Sequence, residues 1–429
     1  MKLWQKGAAA HEKVDHFTVG KDREYDLVLA QYDCQASIAH AKMLAKIDLI
    51  SAEEAEKLCA VLEELLDDAK EGRFSIEDNF EDMHSKIEHV LIERLGDLGK
   101  KIHTARSRND QVLVAMHLYL KQELIEIKEQ LKELFDLLMS LAVKHQNTLI
   151  PGYTHLQVAM PSSFGLWFSA YAESLVDDLY FWQSAYHIAD QNPLGSAAGY
   201  GSAFPIDRAF TTDALDFSAL KVNAVAAQMS RGKLEKSTAM ALSSIGSTLA
   251  KFSMDVCLYM GQDFNFLSFP DDLTTGSSIM PHKKNPDLFE LVRGKCNSLQ
   301  ALPNQLALLT TNLPSGYHRE LQLAKGPIIE AIQDLKACLE ILLFSLPNIQ
   351  VEKNITDQAK YDYLFSVDTL NQAVLAGQPF RDAYRELGQA IEAGNFIPNR
   401  SVQHSHIGSV GNPSFEMIQD KMKKVLKED

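Results

Sequence analysis

The sequence predicts an all-α protein built on a central bundle of long helices. Three features point there. From Leu120 the apolar positions run Leu120, Leu124, Ile127, Leu131, Leu134, Leu138 and Leu141, each three or four residues after the last, which is the stripe of a long amphipathic helix. A second series, Ile328, Ile332, Leu335, Leu339, Leu342 and Leu346, is ended by Pro347. The period-two alternation of strands is nearly absent.

The remaining elements follow in order. A helix is expected to open at Ser51, where Glu54 completes a capping box ahead of Leu58, Leu62 and Leu65. Breaks fall at Pro151-Gly152, Pro161, Asn192-Pro193, Gly195 to Pro205, Pro270 to Pro286 and Leu313 to Gly316, and these read as loops. The division expected is an N-terminal helical domain over 1–104, a long-helix bundle over 105–351 and a small C-terminal helical domain over 352–429. The narrow apolar seams call for partner helices.

Composition excludes several classes. Among 429 residues, 42 Lys and Arg stand against 57 Asp and Glu, a net charge of −15. Nucleic acid and anionic membrane surfaces are poor partners for such a chain, because both need basic patches. A small anionic substrate remains open, since a local cluster of Lys and Arg overrides the global sign. Cysteines stand singly at 34, 59, 257, 296 and 338, with no C-x-x-C pair, which fits a reducing compartment. Met1 to Gly7 meets His11-Glu12-Lys13 before any apolar run develops, so no signal peptide is expected. The uncharged stretch His145 to Ala172 carries Gln, Asn, Ser and two Pro, a poor membrane span. A cytoplasmic protein is expected.

Polar residues crowd four segments. Lys101 to Gln111 holds two Arg, a His, Thr, Ser and Asn; it reads equally as a solvated helix start or as a set of donors suited to carboxylates. Pro151-Gly152-Tyr153-Thr154-His155-Leu156-Gln157 offers one His, which by itself is more often a satisfied core residue than an acid or base. Thr274 to Pro286 joins Gly276-Ser277-Ser278 to His282-Lys283-Lys284-Asn285 between prolines, which suits a mobile flap carrying charge to an anion better than a plain linker. Tyr317, His318, Arg319, Glu320, Gln322 and Lys325 form the fourth, where Gln322 and Lys325 share a face if the segment is helical. No Walker A loop is present, and Gly195 to Gly201 does not fit a dinucleotide fingerprint. His84 with His89, and His404 with His406, lack metal-site spacing. No metal and no nucleotide cofactor are expected.

Gly276-Ser277-Ser278-Ile279-Met280-Pro281-His282-Lys283-Lys284-Asn285-Pro286 resembles the G-S-S-x-M-P-x-K-x-N-P loop of the fumarase/aspartase superfamily, which eliminates fumarate from succinyl-type substrates. His103 to Gln111, Pro151 to Gln157, Leu194-Gly195-Ser196, Glu81-Asp82-Met83-His84, Pro314 to Tyr317 and Gly377 to Arg381 resemble the argininosuccinate lyase family specifically, in the family's order over nearly the whole chain. The resemblance implies a mainly helical three-domain fold, cleavage of argininosuccinate into arginine and fumarate, no metal or organic cofactor, and a homotetramer whose sites each draw on three subunits.

It also implies residue roles. Ser277 would be the catalytic serine and His155 its acid–base partner on the leaving-group side, with the pattern leaving open which is base and which is acid. Glu290 would orient His155. Lys283 and Asn285 would stabilise the carboxylate beside the reacting carbon. Thr154, Arg108 and Asn109 would hold the fumarate-side carboxylates; Asp26, Tyr317, Gln322 and Lys325 would hold the rest of the substrate. Two places depart from the family pattern. Asp22 stands where the family usually has Ser, and Ala226, Ser230 and Gly232 stand at usually acidic positions.

Overall fold

The computed structural model describes residues 12–402 and 404–427, so the expectation about the first seven residues lies outside it. The fold is mostly helical, as the periodicity predicts. The first seam lies on the helix Arg108–Lys144, 37 residues long, and the second runs along Lys325–Ser345 into the 3₁₀ turn Leu346–Asn348. Phe164–Ala189 and Lys233–Met260 are the other long helices. Every seam residue of both series is buried within the single chain. The seams therefore need no second copy to cover them, which corrects the expectation that they call for partners.

The chain divides into two compact units. One comprises Met1–Lys128, Phe181–Ser244 and Ser298–Leu335; the other comprises Glu129–Tyr180, Ile245–Asn297 and Lys336–Asp429. In the first, the helices Asp22–Lys46 and Ala52–Lys70 pack along one another, with Met83–Leu95 against them. Leu44, Leu58, Leu62, Ile87 and Leu91 lie at the centre of this packing, each at most 3% exposed. Burying a side chain of that size contributes roughly 1.5–3 kcal/mol. The Ser51 capping box forms as expected. Ser51 Oγ accepts from the Glu54 N–H at 3.1 Å, and Glu54 accepts from the Ser51 N–H at 2.9 Å.

In the second unit, Trp167 stacks on Phe252 with centroids 5.2 Å apart, among Phe164, Phe168 and Tyr259. Asp255 fixes two of these rings. It accepts from Trp167 Nε1 at 3.0 Å and from the Tyr171 hydroxyl at 2.5 Å.

One expected loop is a hairpin. Leu149–Thr154 pairs antiparallel with Gln157–Ser163, placing Pro151 opposite Pro161. A two-stranded ribbon has only edges, so neither proline has to donate to an inner ladder. Gly152 sits at the register shift; a Cβ there would come within 2.8 Å of the Met160 carbonyl oxygen. Among the described residues no helix is long and apolar enough to cross a membrane. Among the described residues no disulfide joins any of the five cysteines, and four of them, all but Cys257, are buried.

Candidate active site

Two cations anchor a cleft of about 200 Å³ in the first unit. Arg108 opens the helix Arg108–Lys144 and Lys325 opens Lys325–Ser345. A helix N-terminus is the positive end of its dipole, so a cation there is disfavoured and needs carboxylates. Each receives two. Arg108 Nη1 lies 3.1 Å from Glu81 and 3.1 Å from Asp82, while Nη2 donates to Ser85 Oγ at 3.0 Å. Lys325 Nζ lies 2.7 Å from Asp26 and 3.2 Å from Asp22. Burial alone would lower the lysine's pKa, but the charges of Asp26 and Asp22 outweigh it and raise the pKa. Asp22 and Asp26 meet one ammonium because they are four apart on one helix.

Six expected site residues thus share this cleft: Asp26, Arg108, Asn109, Tyr317, Gln322 and Lys325. Gln322 lies on the 3₁₀ segment Arg319–Ala324 rather than an α-helix, and its Nε2 donates to the Tyr317 hydroxyl at 3.0 Å. Its Oε1 is buried without a hydrogen-bond partner.

Supports behind the cleft were not assigned roles from the sequence. Asp82 caps Met83–Leu95 through the Ser85 N–H at 2.8 Å. His84 Nδ1 meets Asp33 at 3.0 Å, both buried. Burial depresses the imidazolium, yet Asp33, Asp82 and Asp26 together raise the pKa of His84. The signal was present in Glu81-Asp82-Met83-His84, but Asp33 lies about fifty residues earlier and nothing local marks it. Asp110 is fully buried and accepts three backbone N–H groups, from Ser107 at 2.9 Å, Gly195 at 3.1 Å and Ala197 at 2.9 Å. It joins the Arg108 segment to the Leu194-Gly195-Ser196 segment.

The other six expected residues lie in the second unit. Thr154 ends one hairpin strand; His155 and Leu156 form the two-residue turn, exposed, with φ of +53° and +60°. Such turns favour Asn-Gly, because two positive φ values are costly for other side chains. Backbone strain of this kind clusters at functional positions. Among the described residues His155 has no hydrogen-bond or ion-pair partner. Ser277, Lys283 and Asn285 share one loop, closed by a backbone bridge between Thr275 and Asn285. Asn285 Nδ2 donates to the Gly276 carbonyl at 3.2 Å. Ser277 Oγ accepts from the N–H groups of Met280 at 3.1 Å and Ile279 at 3.4 Å. Lys283 is exposed. Glu290 faces Arg293 at 4.0 Å and does not pair with His155 within the chain. Among the described residues no group of three or more His, Cys, Asp or Glu is placed to hold a metal.

A family model described as Lyase matches residues 10–300. An argininosuccinate lyase of Parabacteroides distasonis is 53% identical over 425 residues, spanning 99% of this chain and 95% of the relative. The argininosuccinate lyase of Thermotoga neapolitana is 41% identical over 388 residues, spanning 90% and 98%.

The chain belongs to the argininosuccinate lyase family.

The fold agrees with that of more distant enzymes. An EDDS lyase variant with bound fumarate superposes with a TM-score of 0.78 at 19% identity, covering 98% of this chain and 91% of that one. The 3-carboxy-cis,cis-muconate lactonizing enzyme from Pseudomonas putida gives 0.70 at 19% identity, covering 86% and 83%. Where this argininosuccinate lyase family member lacks acids at 226, 230 and 232, Arg231 still finds a carboxylate. Its Nε lies 3.2 Å from Glu235, which also accepts the Gly232 N–H at 2.6 Å. Ser230 Oγ instead lies 3.3 Å from the buried His117.

Proposed function

We infer that the protein cleaves argininosuccinate by β-elimination into L-arginine and fumarate, the last step of arginine biosynthesis. One observation carries the reading: six of the eight residues expected to bind the substrate share a cleft of paired cations and carboxylates. A substrate bearing several carboxylates, an ammonium and a guanidino group suits such mixed charge.

The chemistry needs a base, a carboxylate clamp and an acid. In this reading Ser277 takes the proton from the carbon beside a succinyl carboxylate, and Lys283 and Asn285 hold the aci-carboxylate that forms. The carbon–nitrogen bond then breaks with its electron pair going to the guanidino nitrogen, and His155 protonates that nitrogen. A free serine hydroxyl is a weak base. The two backbone N–H groups directed at Ser277 Oγ support its alkoxide. Thr154, Arg108 and Asn109 bind the fumarate-side carboxylates.

His155 and Glu290 meet across a subunit boundary, in a homotetramer whose sites combine the cleft of one copy with the hairpin and loop of others. Exposed Met240, Met254 and Leu291 support self-association. The three-part division at residues 104 and 351 and a cytoplasmic location belong to the same reading. Purified protein mixed with argininosuccinate tests it, following fumarate by ultraviolet absorbance and arginine by chromatography. Stoichiometric release of both is expected; a folded protein that releases neither overturns the reading.

A further inference from the structure

We propose that Asp22 makes the cleft selective for substrates whose distal amine is free and protonated, an inference that rests on the elimination reading above. Lys325 Nζ is matched by Asp26 at 2.7 Å, and both side chains are 2% exposed. Asp22 is a second carboxylate on the same ammonium, longer at 3.2 Å and more open, with its side chain 16% exposed. One buried carboxylate balances Lys325, so Asp22 is in excess.

The cleft lining shows the same surplus. Asp22, Asp26, Glu81 and Asp82 face Arg108, Arg319 and Lys325, while the charge on His84 is answered by Asp33. One negative charge is left over. Gln322 adds a second acceptor, since its Nε2 is committed to Tyr317 and its Oε1 has no partner. A carboxylate and an amide oxygen lining one cleft are acceptor-only chemistry. An ammonium, with three donors and one positive charge, is their complement. Argininosuccinate carries one on its amino-acid end, beside a carboxylate that Lys325 can take. Acylating that amine removes the charge and leaves a single N–H. Asp22 is also raised above its ordinary pKa, by burial first and by Asp26. An arriving cation would favour its ionised form.

The test compares argininosuccinate with its Nα-acetyl derivative in the full-length protein, wild type against Asp22→Ser and Asp22→Asn. Charge-assisted hydrogen bonds make an effect of about ten- to a hundredfold the expected range. Both variants should raise KM for argininosuccinate by that factor with kcat near wild type. KM for the acetyl derivative should stay unchanged, so the discrimination collapses. An unchanged ratio in both variants overturns the proposal. Calorimetric titration with arginine and Nα-acetylarginine reads the same preference without turnover. A wild-type protein that releases no fumarate would sink the elimination reading; equal binding of the two ligands would sink the role of Asp22.

Discussion

In the cleft of the first unit, Lys325, Asp26 and His84 are buried, Arg108 is partly buried, and all four already hold partners of opposite charge. At the hairpin turn and in the 274–286 loop, His155 and Lys283 are exposed and hold none among the described residues. The cleft carries its electrostatics as part of its fold, so its charges keep their geometry before any ligand arrives. The turn and loop present His155 and Lys283 without such built-in partners among the described residues. The two regions thus differ in the kind of support their charges receive, and substitutions in them should fail in different ways.

The largest expected effect is at the loop. Ser277→Ala should lower kcat by about 10²–10⁴-fold, the usual contribution of a positioned acid or base. The denaturation midpoint should not move, because Ser277 Oγ accepts only weak bonds from its own loop. A mutant with near wild-type turnover would remove Ser277 from the chemistry. The cleft should respond the other way. Lys325→Met strands Asp22 and Asp26 against one another, and breaking a buried pair by removing one partner costs about 3–5 kcal/mol. That loss should appear as a lower urea midpoint at unchanged slope. A midpoint within error of wild type would show that the cleft charges do not support the fold. The smallest effect is at the turn. Leu156→Gly should stabilise by about 1 kcal/mol, the left-handed penalty of roughly 1–2 kcal/mol less the chain entropy of glycine. Leu156 is 80% exposed, so little burial is lost. A lower midpoint in that variant would mean the leucine makes contacts the strain does not outweigh.

Legibility in the sequence followed the range of the interaction. The two helical seams and the Ser51 cap are local, and they read directly from spacing. The six cleft residues were identified through motifs, which mark positions without giving partners. The Asp33–His84 pair and the Glu81 and Asp82 brace on Arg108 join residues far apart in the chain, so no spacing rule reaches them. Pro151 and Pro161 read as breaks because a proline rarely enters a sheet; the ribbon accepts both, having no inner strand. The seams also carried no information about assembly. Periodicity shows that a stripe must be covered, and burial showed that the same chain covers it.

Asp110 has a consequence for biosynthesis. Its carboxylate accepts from Ser107 beside it and from Gly195 and Ala197 more than eighty residues later. The wall bearing Arg108 therefore cannot close while the ribosome is still extending the helix Phe164–Ala189. Until Ala197 has left the exit tunnel, that buried carboxylate lacks two of its three donors. Late synthesis is thus built into the assembly of the cleft, and a chain truncated before residue 195 would carry Arg108 without the latch that seats it.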